Sequence, residues 1–231
     1  MDFSIAKDTY RENAFVQKNM AKSLMFLLEK TCGNSFDKIL EIGAGTGFLT
    51  KNIISKLKYE ELILNDITDN FTQVDVEFIK GDASKIDLPC DCDLIISNAV
   101  FQWIDEPCAF FNKIKTNLKN GAVLAFSSFG EQNFKQFKKI TQIGLEAFDY
   151  EKILKSCGFK VLHFEQEVQT LYFKNPKEVL KHIKATGVSI KRGERWTKSK
   201  LENFENMYRK YFVDGNGAEL TYHPLYIVAS I

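Results

Sequence analysis

No stretch of about 18 apolar residues occurs anywhere in this 231-residue chain, and Met1 to Asn13 mixes charged and polar side chains without an apolar core. The first absence excludes a membrane-spanning helix and the second a secretory signal, so the expectation is a soluble, cytoplasmic protein. Cysteine is sparse and odd in number. Cys32, Cys90, Cys92, Cys108 and Cys157 include no Cys-x-x-Cys pair, which argues against a disulfide framework and a zinc site. The Pro-Cys-Asp-Cys turn at Cys90 and Cys92 lacks the further ligands that a tetrahedral metal needs. Only three histidines are present, none spaced for a metal, and no metal is expected. Charge of one sign is missing too: the net value is +1, which argues against bulk nucleic-acid affinity. No internal repeat or low-complexity tract is visible.

What the chain does contain is an ordinary globular composition, 45% apolar and 26% charged, with 20 Phe for core and pocket walls. Its length suits one large domain, 1–231, carrying an insertion. Apolar positions from about Tyr10 to Lys30 recur with helical spacing. Then short apolar runs alternate with helical patterns: Lys38 to Gly43, Glu61 to Asp66, Val76 to Lys80, Asp93 to Ser97 and Ala122 to Ser127, separated by helices such as Thr46 to Leu57 and Pro107 to Leu118. That alternation predicts an α/β doubly wound, mostly parallel sheet covered on both faces. Helices follow at about Asn133 to Ile143 and Tyr150 to Ser156, then a long strand from Lys160 to about Phe173 and a last strand from Glu219 to Ser230. Between those strands, residues 174–215 read as a helical cap with helices near Pro176 to Thr186 and Lys198 to Tyr211. The cap is basic. From Lys174 to Lys200 nine Lys or Arg face only Glu178 and Glu194, a local excess of seven on a body that is otherwise acidic.

The chemistry concentrates at strand ends. Glu41-Ile-Gly-Ala-Gly-Thr-Gly47 closes the first strand, and its glycines permit a sharp turn and close approach of a ligand. A dinucleotide fingerprint starting at Gly43 needs glycine at 48, where Phe48 stands, and a carboxylate at Glu41 repels pyrophosphate but suits a cationic ammonium. The pattern points to S-adenosylmethionine (SAM), with another nucleotide or a structural turn as alternatives. Asp66 ends the second strand, where it can accept from ribose hydroxyls, and Asp82 follows the third, where it can accept from an adenine amino group; Ile67 and Ala83 are the next residues in line. Each acid alone also suits a cap or an Asx turn. Asn98 follows the fourth strand and leads to Phe101 and Trp103, which either pack or line a pocket. His223 is read as structural.

With these motifs the chain resembles the class I SAM-dependent methyltransferases, of Rossmann-like fold. It resembles more narrowly the malonyl-acyl-carrier-protein O-methyltransferases of biotin synthesis, the BioC family. The narrower likeness rests on Tyr10-x-x-x-Ala14-x-Val16-Gln17, Glu41 to Gly47, Asn98-Ala-x-x-Gln-Trp103, Phe126-Ser-Ser-Phe-Gly130, Thr186-Gly187-Val188, Trp196-Thr197 and Leu220-Thr-Tyr-His-Pro-Leu-Tyr226. The resemblance implies methylation of the free carboxylate of a malonyl thioester on acyl carrier protein. Such a carboxylate is already ionised at neutral pH and needs no general base. Tyr10 is then expected to cover the cofactor and approach the reacting oxygen, with Gln17 near its methionine end. Arg192 or Arg195 would clamp the malonyl carboxylate, and Lys177, Lys181 and Lys184 would meet the acidic carrier. A methyltransferase of a free small acid, a non-catalytic SAM-fold partner subunit and an NAD-dependent oxidoreductase are the competing readings.

Overall fold

The computed structural model describes residues 14–69, 76–144, 147–186 and 196–231. Helix α1 (Phe15–Cys32) buries Val16, Met20, Ala21, Leu24, Leu27 and Leu28, a stripe at three- and four-residue spacing. It stops at Gly33, whose left-handed φ of 82° lets its N–H return to the Glu29 carbonyl. The chain then alternates strand and helix: β1 (Lys38–Ile42), α2 (Phe48–Lys56), β2 (Glu61–Asp66), β3 (Glu77–Lys80), β4 (Cys92–Asn98), a 3-10 turn at Phe101–Trp103, α3 (Pro107–Asn117) and β5 (Leu118–Phe129). Next come α4 (Lys135–Thr141), α5 (Tyr150–Ser156), β6 (Lys160–Gln166), β7 (Gln169–Phe173), α6 (Pro176–Ala185), α7 (Lys198–Phe212), β8 (Val213–Asp214), β9 (Gly217–Tyr222) and β10 (Pro224–Ser230).

Seven strands form one sheet in the order β3-β2-β1-β4-β5-β10-β6. Strands β1 to β5 pair in parallel, and β6 pairs antiparallel with β10. Residues of β1, β2 and β4 are buried almost throughout, which is why they read as continuous apolar runs rather than alternating ones. The chain order reverses between β1 and β4, so the crevice outside their carboxyl ends is where such sheets take ligands. Phenylalanine fills the space under α3 and α5: Phe101 stacks 4.7 Å from Phe126, and Phe111 meets Tyr150 edge-on at 6.2 Å. Each such ring contributes on the order of 2–3 kcal/mol by burial.

These elements form one compact unit, Phe15–Ser128 with Ala147–Gln166 and Leu225–Ile231. The second compact unit draws its described residues from 129–144 and 167–224, with Ala14. Within it β7, β9 and β8 make a three-stranded antiparallel sheet, order β7-β9-β8. Asn175 caps α6 by accepting from the Glu178 N–H with Pro176 in the first turn, and Thr197 caps α7 by accepting from the Lys200 N–H. Helix α6 buries Val179, His182 and Ile183; α7 buries Phe204 and Tyr208.

Two expected strands are each divided. The run from Lys160 to Phe173 breaks at Glu167 and Val168, and the run from Glu219 to Ser230 breaks at His223, so that each contributes to both sheets. Pro224 has no N–H to carry the ladder on, and its carbonyl instead accepts from the Glu167 N–H. His223 holds the break. Its Nδ1 accepts from the Gln132 N–H, its carbonyl from the Gly130 N–H, and its ring lies where a Cβ on residue 130 would fall. The Phe-Ser-Ser-Phe-Gly and Leu-Thr-Tyr-His segments are therefore neighbours in space, and burial pushes the His223 pKa down, favouring the neutral ring that this bond requires.

Candidate cofactor-binding site

The turn after β1 is built from three left-handed glycines, Gly43, Gly45 and Gly47, with φ of 76°, 55° and 81°. They serve different ends. A Cβ on Gly43 would run into the Val100 side chain, so that glycine lets two strand-end loops approach; a Cβ on Gly45 would meet only the Gly43 carbonyl oxygen, in ordinary contact at 3.9 Å. Gly47 ends the turn and starts α2. The turn is pinned to β2, because the Asn65 carbonyl accepts from the N–H groups of Gly43 (2.8 Å) and Ala44 (3.0 Å), and Asp66 Oδ2 accepts from that of Gly45 (2.8 Å).

Glu41 before the turn, Thr46 in it and Thr50 in α2, together with Gln17 of α1, carry buried polar atoms without a full hydrogen bond among the described residues: both oxygens of Glu41, Gln17 Oε1, Thr46 Oγ1 and Thr50 Oγ1. Native interiors rarely leave such atoms unpaired. Glu41 is only 1% exposed, and burial pushes its carboxyl up to about 8; the hydroxyl and N–H of Thr50, near enough for a weak pull but not a full hydrogen bond, oppose the rise, and Asp66 adds to it. A cationic donor placed here would satisfy the carboxylate and restore its ordinary acidity.

Asp66 is half-buried, and its Oδ1 takes both the N–H (2.8 Å) and the hydroxyl (2.9 Å) of Thr68. With Gly45 on Oδ2, three of its roughly four acceptor positions are used, leaving capacity for a ligand hydroxyl. Ile67 leaves 52% of its surface exposed beside it. Asp82 shapes its own loop: Oδ1 accepts from the N–H and hydroxyl of Ser84, and Lys85 pairs with Oδ2 at 3.2 Å. The Ser84 bonds above all hold its carboxyl below the usual range. Ala83 is buried in the core, and its carbonyl accepts from Lys113 at 3.0 Å. Asp82 also lines a cleft of about 320 Å³ with Trp103, Ile104 and Phe110.

Asn98 is committed to the scaffold. Its Nδ2 donates to the Gln17 carbonyl at 3.1 Å and its Oδ1 accepts from Ser127 Oγ at 2.7 Å, fastening α1 to β4 and β5. Phe101 packs in the core while Trp103 is half-buried at the cleft, so the two aromatics divide the roles left open by the sequence. Tyr10, Arg192 and Arg195 lie outside the described residues. Lys177, Lys181 and Lys184 are exposed on α6; Lys177 pairs with Glu205 (3.5 Å) and Lys181 with Glu178 (3.7 Å).

Thr46, Thr50 and Asn65 were not singled out by the sequence patterns. The signal for Asn65 was there, a polar residue interrupting the apolar Glu61-Leu-Ile-Leu-Asn-Asp66 strand. Another is a buried chain in which Tyr150 and Ser128 share a 2.8 Å bond and Ser128 bonds Gln102 at 3.2 Å. Among the described residues no cluster of His, Cys, Asp and Glu is arranged for a metal ion, and no helix is long and apolar enough to cross a membrane.

Against known proteins, the family described as Methyltransferase domain matches residues 10–169. The malonyl-[acyl-carrier protein] O-methyltransferase of Calditerrivibrio nitroreducens is 40% identical over 225 residues, covering 96% of this chain and 91% of that protein. Among solved structures, a methyltransferase-fold protein from Bacillus halodurans superposes with a TM-score of 0.66 at 15% identity, covering 90% of this chain and 98% of its own. Haemonchus contortus phosphoethanolamine N-methyltransferase 2, solved with SAM, gives 0.54 at 16% identity over 90% of this chain and 52% of its own. These two establish the fold. By the family match and the near-full-length identity together, the chain belongs to the malonyl-[acyl-carrier protein] O-methyltransferase family, within the class I SAM-dependent methyltransferases.

Proposed function

We propose that this protein, in the cytoplasm, methylates the free carboxylate of a malonyl thioester on acyl carrier protein, giving the methyl ester that enters the pimeloyl stage of biotin synthesis. The observation that carries the cofactor reading is Glu41, a buried carboxyl at the glycine turn whose oxygens find no full hydrogen bond among the described residues, only the weak pull of Thr50. SAM, when bound, supplies a methyl group on a cationic sulfonium together with an ammonium, ribose hydroxyls and an adenine amino group. The orphaned acceptors fit that inventory. Glu41 and Gln17 are assigned to the ammonium, Gly43, Gly45 and Gly47 to the path of the methionine portion, Asp66 to the ribose, and Ile67, Asp82 and Ala83 to the adenine. Asn98 shapes the floor through its bonds to α1 and β5, and Tyr10 is assigned to cover the cofactor.

The acceptor carboxylate is ionised at neutral pH, so these side chains orient and desolvate rather than move a proton. Opposite charges neutralise as the new bond forms, and a water-poor site favours that change. Arg192 and Arg195 are assigned to the malonyl carboxylate, for which a guanidinium offers bidentate geometry. Lys177, Lys181 and Lys184, spaced along one exposed face of α6, are assigned to the acidic carrier.

The test is label transfer from methyl-labelled SAM to malonyl-carrier protein, malonyl-CoA and free malonate in parallel. Base-labile label on the carrier substrate supports the reading; label on free malonate alone, or on none, rejects it.

A further inference from the structure

We propose that Asn65 is a positioning residue for adenine recognition: its side chain holds the loop that presents Asp82. This rests on the proposed SAM site, and it concerns a residue that touches neither the cofactor nor the substrate.

Asn65 is 2% exposed at the carboxyl end of β2. Its Nδ2 donates to two carbonyls, Ile79 at 2.9 Å and Gly81 at 3.0 Å, the last residues before Asp82. Ile79 lies within β3, in register with Asn65, whereas Gly81 lies past the strand's end at Lys80, where its N–H returns to β2 at the Asp66 carbonyl, so the amide bond to the Gly81 carbonyl carries the hold of β2 past the end of the paired strand. An apolar side chain at 65 would take this donor from both carbonyls, and the segment beyond the ladder, from Gly81, would shift to find another. Gly81 is a point at which it can shift: its φ of 151° is in the range that glycine favours. The far side of the same loop is tied by Lys113 Nζ to the carbonyls of Ala83 and Ile86. Asp82 therefore sits between two clamps, and only Asn65 belongs to the strand whose end carries Asp66.

The same residue also acts through its backbone, since its carbonyl accepts the Gly43 and Ala44 N–H groups. A substitution leaves that backbone link in place while removing the side-chain link. The two ends of the cofactor are thereby separable: the methionine end answers to the carbonyl of Asn65, the adenine end to its amide. Loss of the amide should weaken recognition of the adenine amino group and spare the rest.

The experiment compares S-adenosylhomocysteine with its deaminated analogue S-inosylhomocysteine, by calorimetry, on the wild type, Asn65→Asp and Asn65→Ser. The Asp variant removes the donor and places an acceptor against two carbonyls; the Ser variant keeps a single short donor. Wild type should prefer the adenosyl ligand. Asn65→Asp should bind that ligand about tenfold more weakly with the preference largely gone, and Asn65→Ser should fall between. The Michaelis constant for malonyl-carrier protein should not move, whereas general unfolding would lower activity toward both substrates alike. If Asn65→Asp does not fold, Asn65→Ser alone decides. A preserved adenosyl preference in the folded variant overturns the proposal, as does a wild type that binds both ligands equally. A wild type that binds neither overturns the SAM site itself.

Discussion

With Glu41 assigned to the cofactor's ammonium, cofactor binding is expected to be coupled to a proton. In the ligand-free protein burial pushes its carboxyl up to about 8 from the ordinary 4.5, so at neutral pH roughly nine-tenths of the molecules hold it neutral. An ammonium within bonding reach favours the carboxylate and draws the value back down. Uptake of S-adenosylhomocysteine near pH 7 should therefore release close to one proton, and affinity should rise about tenfold per pH unit below the raised value. Between about pH 6 and 7.5 that amounts to roughly thirty-fold. Calorimetry in buffers of different ionisation enthalpy counts the proton directly. Glu41→Gln should bind more weakly and lose the slope, and titration of the ligand's own amine cancels because both proteins meet the same ligand. The sign for stability is the reverse of the usual carboxylate. A group whose folded value is raised stabilises the fold while neutral and loses that contribution as pH rises from about 4.5 through 8. The shift corresponds to a deficit on the order of 5 kcal/mol at alkaline pH. Ligand-free Glu41→Gln should thus melt higher than wild type at alkaline pH. Equal proton release and equal slope in the variant would refute the reasoning.

Other consequences are separable. Gly43→Ala meets both a left-handed φ and the Val100 side chain and should lower stability by more than the ~1–2 kcal/mol that the backbone alone costs. Gly45→Ala meets only the backbone cost but should abolish measurable S-adenosylhomocysteine binding, read by thermal shift with and without ligand. Tyr150→Phe removes a buried bond to Ser128 and should cost about 1–3 kcal/mol in urea denaturation; in the wild type burial pushes this phenol up to about 12, so no phenolate absorbance should appear from it at pH 10. Charge reversal of Lys181 and Lys184 to Glu should raise the Michaelis constant for malonyl-carrier protein several-fold while leaving SAM affinity unchanged.

The core of the fold was legible because buried parallel strands leave short, largely apolar runs, as in Lys38 to Ile42 (interrupted only by Glu41) and Asp93 to Ser97, and because a glycine turn after the first of them is a local signal. Asp66 and Asp82 followed from their places at strand ends. The two divided strands were not legible: an apolar run looks alike whether it stays in one sheet or passes to a second, and the break depends on His223 bonding Gln132 and Gly130, some 90 residues away in sequence. The hydroxyls of Thr46 and Thr50, without a full hydrogen bond among the described residues, and the two-carbonyl bond of Asn65 arise only in three dimensions. Cys108 and Cys157 show the same limit. They form no sequence pair, yet their sulfurs lie 3.2 Å apart as free thiols.

In the proposed reaction SAM is held at the glycine turn, with Glu41 on its ammonium, and its methyl group passes to a carrier-bound malonyl carboxylate. Intact-mass measurement of malonyl-carrier protein after incubation with SAM and catalytic amounts of this protein tests it most directly. A mass gain of one methylene is expected, which mild base removes and which Glu41→Gln greatly slows. An unchanged carrier mass in the presence of well-folded, S-adenosylhomocysteine-binding protein would contradict the assignment of substrate, and failure to bind that ligand at all would contradict the site.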